Sequence, residues 1–190
     1  MDFRKHLDLR DKHAFLSASS YHWINYDVER LRERWKTYTA AQEGTRLHAF
    51  AAECISLGQR LPKARRTLNL YVNDAIGYGM QPEQVLYFSE NCFGTADAIS
   101  FSKEKGGRHM LRIHDLKTGV TPAHMEQLHI YAALFCLEYD KNPDDFAIET
   151  RLYQNDQAII DEPSPDLIHS YMGKIVEFDK VIEELKREGW

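Results

Sequence analysis

Residues 85–117 carry three runs rich in aromatic and β-branched residues, separated only by short polar or glycine-bearing turns. The first two, in VLYFSENCFGTADAISFS from Val85, meet near Asn91–Gly94. The third, HMLRIHDLK at 109–117, follows the turn KEKGGR, with Gly106 and Gly107 at its tip. Runs joined by turns this short read as an antiparallel meander. Such a sheet must bury its apolar faces, and the flanking sequence supplies helices to cover them.

Residues 20–41 read as a helix with the charges of DVERLRERW on its exposed side, and 45–57 as a second, with Leu47, Phe50, Ala51, Cys54 and Ile55 at helical spacing and Gly58 closing it. A third starts near Pro62 and ends at Gly77 and Gly79. After the meander, a helix is predicted over about 122–139, a strand FAIETRLY over 146–153, and a short AII segment beyond the Asn155–Asp156 turn. Ser164-Pro165-Asp166 then reads as an N-cap, a first-turn proline and an acid matched to the helix dipole, opening a last helix over about 165–188. The fold class is α/β (α+β), a small central mixed sheet flanked by helices. With 190 residues, no repeat and no linker, the chain reads as a single domain: an N-terminal helical region over about 1–80, a core over about 44–153, and the C-terminal helix.

Apolar residues make up 43% and charged residues 28%, a globular balance. No apolar run approaches the ~18 residues of a membrane span, and MDFRKHLDLRDKHAF lacks the apolar core of a secretion signal, so a cytoplasmic, membrane-free protein is expected. Cys54, Cys92 and Cys136 form no CxxC pair and are read as fillers of small buried spaces. The net charge of −5 excludes a globally basic nucleic-acid binder, but it hides an asymmetry: residues 1–66 sum to +5 and residues 67–190 to −10. A locally basic face remains available, and binding follows the local field.

Four short patterns carry chemistry. In HDLKTG, strand alternation sends Asp115 and Lys117 to one face, at the end of the apolar row Leu111 and Ile113. Burying an acid and an amine there is costly unless something binds them. The tripeptide alone is weak, since Glu184-Leu185-Lys186 repeats it on a helix, where the two ends diverge. In GTADAISF, Asp97 interrupts a strand of small and apolar neighbours; a turn-capping aspartate is the bland alternative. In EGTRLHAFAAE, His48 lies on an amphipathic helix beside Leu47 and Ala51, where most histidines are half-buried and satisfied. In EQLHIYAALF, Gln127 and Tyr131 share one helical face at i and i+4. Two aspartates on adjacent strands and an imidazole from a packing helix suit a divalent cation, and a lysine beside them can stabilise a charged phosphoryl transition state. These are the needs of phosphodiester hydrolysis.

In this combination the sequence resembles the RecB-like branch of the PD-(D/E)XK nuclease superfamily, similar to small phage-encoded exonucleases and CRISPR-associated RecB-like nucleases. The branch pattern G-x-x-x-H, G-x-x-D, (D/E)-x-K and Q-x-x-x-Y reads here Gly44…His48, Gly94…Asp97, Asp115-Leu116-Lys117 and Gln127…Tyr131, in order over 44–131. The opening LSASSYHWINY is loosely similar to small phage members as well. The resemblance implies a restriction-endonuclease-like αβββαβ core and a metal-dependent DNA nuclease, an exonuclease with little sequence specificity. It implies His48, Asp97, Asp115 and the Leu116 carbonyl as ligands of Mg²⁺ or Mn²⁺, with Lys117 as the catalytic amine and Gln127 and Tyr131 supporting it or touching DNA. The chain departs from the branch in having Asp115 where Glu is common. No iron–sulfur cluster is expected, because no cysteine lies in the first or last 50 residues.

Arg60, Lys63, Arg65 and Arg66 in GQRLPKARR and Lys103, Lys105 and Arg108 in the turn are candidates for DNA grip, as phosphate contacts that read no sequence; two solvated charged loops are the bland alternative, and the more common one for each patch alone. The partners implied are DNA, a phage recombination or replication protein, and a second copy in a homo-oligomer, in the cytoplasm of a bacterial host. The alternatives are a non-catalytic DNA- or protein-binding module on the same fold and a nuclease subunit active only with a partner.

Overall fold

The computed structural model describes residues 14–104, 106–119 and 124–190. The chain divides into two compact units, one ending at Thr45 and one running Arg46–Trp190. The first holds a 3-10 stretch over Ala18–Asn25 and the beginning of helix α1 (Val28–Ser56). Within it the ring of Phe15 meets Trp35 edge-on at 5.0 Å and tilts against Tyr38 at 5.1 Å.

The two helices expected over 20–41 and 45–57 are one. Asp27 Oδ1 accepts from the backbone N–H of Arg30 at 2.7 Å and starts α1, which runs through Gly44 to Ser56. A single interior glycine costs a helix only about 1 kcal/mol, and no proline stands nearby to break it. Gly58, with φ +65°, supplies the left-handed turn that ends it.

Helix α2 (Thr67–Gly77) begins five residues after the proline expected to open it. Asn73 explains the delay: its side chain accepts from the Leu61 N–H at 2.9 Å and donates to the Leu61 carbonyl at 3.0 Å, tying Leu61 back to the helix. The cap is remote. Asp156 Oδ1 accepts from the Thr67 N–H at 2.8 Å, across 89 positions of sequence.

Strands β1 (Gln81–Ser89), β2 (Cys92–Lys103) and β3 (His109–Leu116) form the antiparallel meander. Strand β1 starts at Gln81 rather than Val85, since an edge strand tolerates Pro82. Helix α3 (Glu126–Glu138) leads to β4 (Phe146–Gln154), which pairs parallel to β3. The AII segment is a fifth strand, β5 (Gln157–Asp161), antiparallel to β4. Ser164 accepts from the Leu167 N–H and caps α4 (Pro165–Arg187). The fold is thus α+β, a five-stranded mixed sheet in the order β1-β2-β3-β4-β5 with helices packed on it. The expected start of α3 near 122 lies outside the described residues, as does Lys105.

Two cores form on the two faces of the sheet. One gathers Leu86, Leu111, Ile113, Leu128, Phe135 and Ile168. The other gathers Ala51, Cys54, Tyr71, Val72, Leu116 and Tyr153. Strand β3 is buried on both faces from Leu111 to Leu116, so whatever stands at its end is held rigidly. On the α2 side the Tyr153 hydroxyl donates to Asp74 at 2.8 Å and Arg151 donates to the Tyr78 hydroxyl at 2.8 Å, which fastens the helix to β4. Cys54 and Cys136 are buried and Cys92 is half-buried, all three as free thiols. Among the described residues no helix is long and apolar enough to cross a membrane.

Candidate active site

The alternation of β3 carries Asp115 onto the face of Leu111 and Ile113, toward α3, and Lys117 follows it past the strand end. Lys117 Nζ lies 3.0 Å from both Asp115 oxygens. Only Oδ1 meets it in hydrogen-bonding geometry, and Asp115 Oδ2 is left buried without a donor. Lys117 also donates to Gln127 Oε1 at 3.1 Å, and Gln127 Nε2 donates to the Tyr131 hydroxyl at 3.1 Å. A relay therefore runs Asp115–Lys117–Gln127–Tyr131, from the end of β3 along the first turns of α3.

Asp97 sits where β2 parts from β3. Pairing of the two strands reaches Ala98 and His114; beyond it, Asp97 Oδ2 accepts the backbone N–H of Leu116 at 2.8 Å. The carboxylate thus replaces a ladder bond and fixes the buried end of β3 to its own oxygen. His48, on α1, brings Nδ1 to 3.4 Å from the same Oδ2.

Glu83 completes the group, and no motif in the sequence marked it. It lies in β1 between the pairs Pro82–Ala98 and Gln84–Ala96, with φ +51°. A non-glycine residue in the left-handed region costs on the order of 1–2 kcal/mol, so the conformation is retained against a local penalty. His48 Nδ1 or Nε2 and a carboxylate oxygen from each of Glu83 and Asp97 lie within 4.8 Å of one another. Asp115 stands outside that trio, on the Lys117 side. Only the left-handed φ of Glu83, a property of the folded backbone, distinguishes it from an ordinary strand-end acid.

The charges act on one another. Burial first, and then the Asp97 charge, hold the Asp115 carboxyl above its usual range, against the pull of Lys117. Burial and Asp97 likewise raise Glu83. The contact with Asp97 raises His48, opposed by its burial. Burial raises the Tyr131 phenol. Three carboxylates lie near one imidazole and one ammonium, and Asp115 Oδ2 is buried 3.0 Å from Lys117 Nζ without a hydrogen-bond donor. A divalent cation fits this donor set: oxygens from carboxylates, one ring nitrogen, and negative charge in excess. His48, Glu83 and Asp97 can hold it directly.

The basic residues divide. The loop carrying Lys63 and Arg65, both exposed, leads into Thr67, which lines the same cavity as Lys117. Arg60 donates to the Asn73 carbonyl at 3.1 Å, and Arg66 lies 3.4 Å from Asp156, so both are tied to the fold. Lys103, exposed, ends β2 six residues from Asp97, about 20 Å along the strand. Arg108 follows in the same turn and donates to the Phe146 carbonyl at 3.3 Å. That turn is remote from the acids.

Compared with known proteins, the chain matches no family model, no curated protein and no solved structure.

Proposed function

We propose that the chain is a divalent-metal-dependent deoxyribonuclease of the RecB-like branch of the PD-(D/E)XK superfamily, an exonuclease with little sequence specificity. The observation that carries this reading is the convergence of His48, Glu83 and Asp97 beside a lysine clamped to a buried aspartate. The order of elements around it, three antiparallel strands, a crossover helix and a parallel strand, agrees with the core the resemblance implies.

Mg²⁺ or Mn²⁺ would be held by His48, Glu83 and Asp97, with Asp115 and the Leu116 carbonyl as the further ligands the resemblance implies; the ring nitrogen would make Mn²⁺ more competitive than an all-oxygen site would. When bound, the cation lowers the pKa of water and neutralises phosphate oxygens. Lys117 Nζ, fixed by Asp115 and Gln127, stabilises the charge that develops on the non-bridging oxygens. In the reaction a water oxygen bonds to phosphorus, the bond from phosphorus to the leaving sugar oxygen breaks, and a proton from the water ends on that oxygen. Tyr131 and Gln127 position Lys117. DNA is the substrate. A phage recombination or replication protein and a second copy of the chain are the partners this reading implies, in the cytoplasm of a bacterial host.

The test is incubation with end-labelled linear and circular DNA, single- and double-stranded, with Mg²⁺, Mn²⁺ or EDTA, beside Lys117→Ala. Metal-dependent cutting that the variant lacks is the expected result, and intact circles make the enzyme an exonuclease. No cutting under any condition overturns the stand-alone enzyme and favours the binding module or a partner-dependent subunit.

A further inference from the structure

The two ends of the sheet are finished differently. Strand β1 stands at one end, and its outer edge is blunted: Pro82 has no N–H, Glu83 turns left-handed at φ +51°, and Glu138 Oε2 accepts the Tyr87 N–H at 2.9 Å. Strand β5 stands at the other end and, among the described residues, pairs with β4 alone. Its residues, Gln157-Ala158-Ile159-Ile160-Asp161, include no proline and no left-handed position, and their one charge, Asp161, is held by His129 at 2.8 Å. Ile159 and Ile160 are 53% and 52% exposed. An uncovered apolar edge of this kind is a template for another strand, because half of its backbone groups point away from the sheet.

We infer that β5 is the contact through which a second copy of this chain joins, strand to strand and antiparallel, so that the two five-stranded sheets become one across a two-fold axis at Ile159. Nothing in this depends on the nuclease reading. A second copy fits better than a foreign strand because β5 is its own complement. Under a two-fold axis normal to the sheet every residue keeps its face, so the residue on the axis lies opposite itself; with Ile159 there, all of β5 finds partners. Gln157 then meets Asp161 of the partner subunit, and does so twice: an amide donor faces a carboxylate of which His129 holds Oδ2 only. Ala158 meets the partner's Ile160, small against large, and Ile159 meets its own copy. The faces agree. Gln157, Ile159 and Asp161 share the α3 side, where Asp161 reaches His129, while Ala158 and Ile160 lie beside Tyr153 and Arg151 on the α2 side. Asp115, Leu152 and Ile159 stand abreast across β3, β4 and β5. The axis therefore sets the two Asp115–Lys117 pairs on one face of the joined sheet, five strand spacings or roughly 24 Å apart. So short an edge buries less than the ~1,200 Å² of a stable interface, and the dimer is expected to be weak and concentration-dependent.

The test is sedimentation velocity of the full chain over a concentration series, beside Ile159→Lys and Ile159→Glu, both at an exposed position. The wild type is expected to rise from 22.2 kDa toward twice that mass. Each charge variant alone is expected to stay at the mass of one chain, since like charges then meet on the axis, and an equimolar mixture of the two to regain association, since lysine then meets glutamate. Cross-linking reads the register separately. Ile159→Cys is expected to give a disulfide dimer under mild oxidation, because opposed Cβ atoms stand about 4.5–5.5 Å apart. Ala158→Cys, whose two copies lie out of line along the strands, is expected to give none beyond the wild type, in which Cys54 and Cys136 are buried and Cys92 is half-buried. The mass of one chain at every concentration overturns the dimer and leaves the edge to a strand of another protein. Association that persists in either charge variant alone, or cross-linking at 158 equal to that at 159, overturns the β5 contact.

Discussion

A Cβ placed on Gly94 would stand 2.9 Å from Cε1 of Tyr131. Glycine is required at this point of β2 by the tyrosine that leans over it, not by its backbone, whose φ is ordinary for any residue. Tyr131 accepts from Gln127, which accepts from Lys117, so the contact sets the last link of the relay. Gly94→Ala is expected to push the ring aside, loosen Gln127 from Lys117 and lower kcat by about tenfold to a hundredfold. Unfolding free energy is expected to fall by only about 1 kcal/mol, because the ring tip can move. Tyr131→Ala already removes the obstruction, so adding Gly94→Ala to it should change kcat little further; a double-mutant cycle measures the coupling.

Burial, and then the Asp97 charge, raise the Glu83 carboxyl, and a cation held between them would offset that repulsion. Mn²⁺ is therefore expected to raise the melting temperature of the wild type in a concentration-dependent way, by the equivalent of about 2.7 kcal/mol at one hundred times Kd. Glu83→Gln removes a carboxylate charge that the proposed cation would use and a repulsion together. In EDTA it is expected to melt at or above the wild type, and in Mn²⁺ below it. Differential scanning fluorimetry in both conditions reads the crossing, and a variant that tracks the wild type in both removes Glu83 from the site.

The legibility of this site followed strand alternation. Asp115 and Lys117 could be paired from sequence because a period of two is fixed by the backbone, and the structure puts them 3.0 Å apart. Gln127 and Tyr131 followed from the helical i and i+4 relation. Glu83 did not, since what aims it is a left-handed φ in a strand that begins four residues before its apolar run. The start of α2 was hidden for a different reason: its cap, Asp156, comes from the β4–β5 turn, and local sequence carries no trace of it. The continuity of α1 across the gap expected between 41 and 45 is physical: one glycine without a proline does not stop a long helix.

Asp179 and Glu183 of α4 hold the β1–β2 turn. Asp179 accepts from the Ser89 hydroxyl at 2.5 Å and from Asn91 at 2.8 Å; Glu183 accepts from Asn91 at 2.7 Å and from Lys186 at 2.9 Å. The Ser89 and Asn91 donors hold the Asp179 carboxyl below its usual range, and Asn91 and Lys186 do the same for Glu183. A carboxyl depressed in the folded state binds protons less readily than in the unfolded chain, so its stabilisation is complete above the usual carboxylate range and is lost as pH falls through the depressed values. Asp179→Asn is expected to lower the urea midpoint at pH 7, and the gap to the wild type to narrow as pH is brought below the carboxylate range. Urea denaturation at several pH values checks the narrowing; a constant gap would assign the effect to shape and not to charge.

Lys63 and Arg65 differ from their basic neighbours in what removing them disturbs. Arg60 holds the Asn73 carbonyl, Arg66 pairs with Asp156, and Arg108 holds the Phe146 carbonyl, so alanine at any of these loosens local structure as well as charge. Lys63 and Arg65 are exposed on the loop that leads into Thr67 and the cavity beside Lys117. If this loop carries phosphate contacts, replacing both by alanine lowers DNA affinity about equally for all sequences and reduces the slope of log affinity against log salt by about 0.9 per lost contact. The melting temperature is expected to stay unchanged. Lys103→Ala, about 20 Å from Asp97 along β2, is expected to leave the slope for a short oligonucleotide where it was. Fluorescence anisotropy across a salt series separates the two loops: a slope that falls for Lys103→Ala and holds for the Lys63 and Arg65 pair would move the DNA path to the far turn.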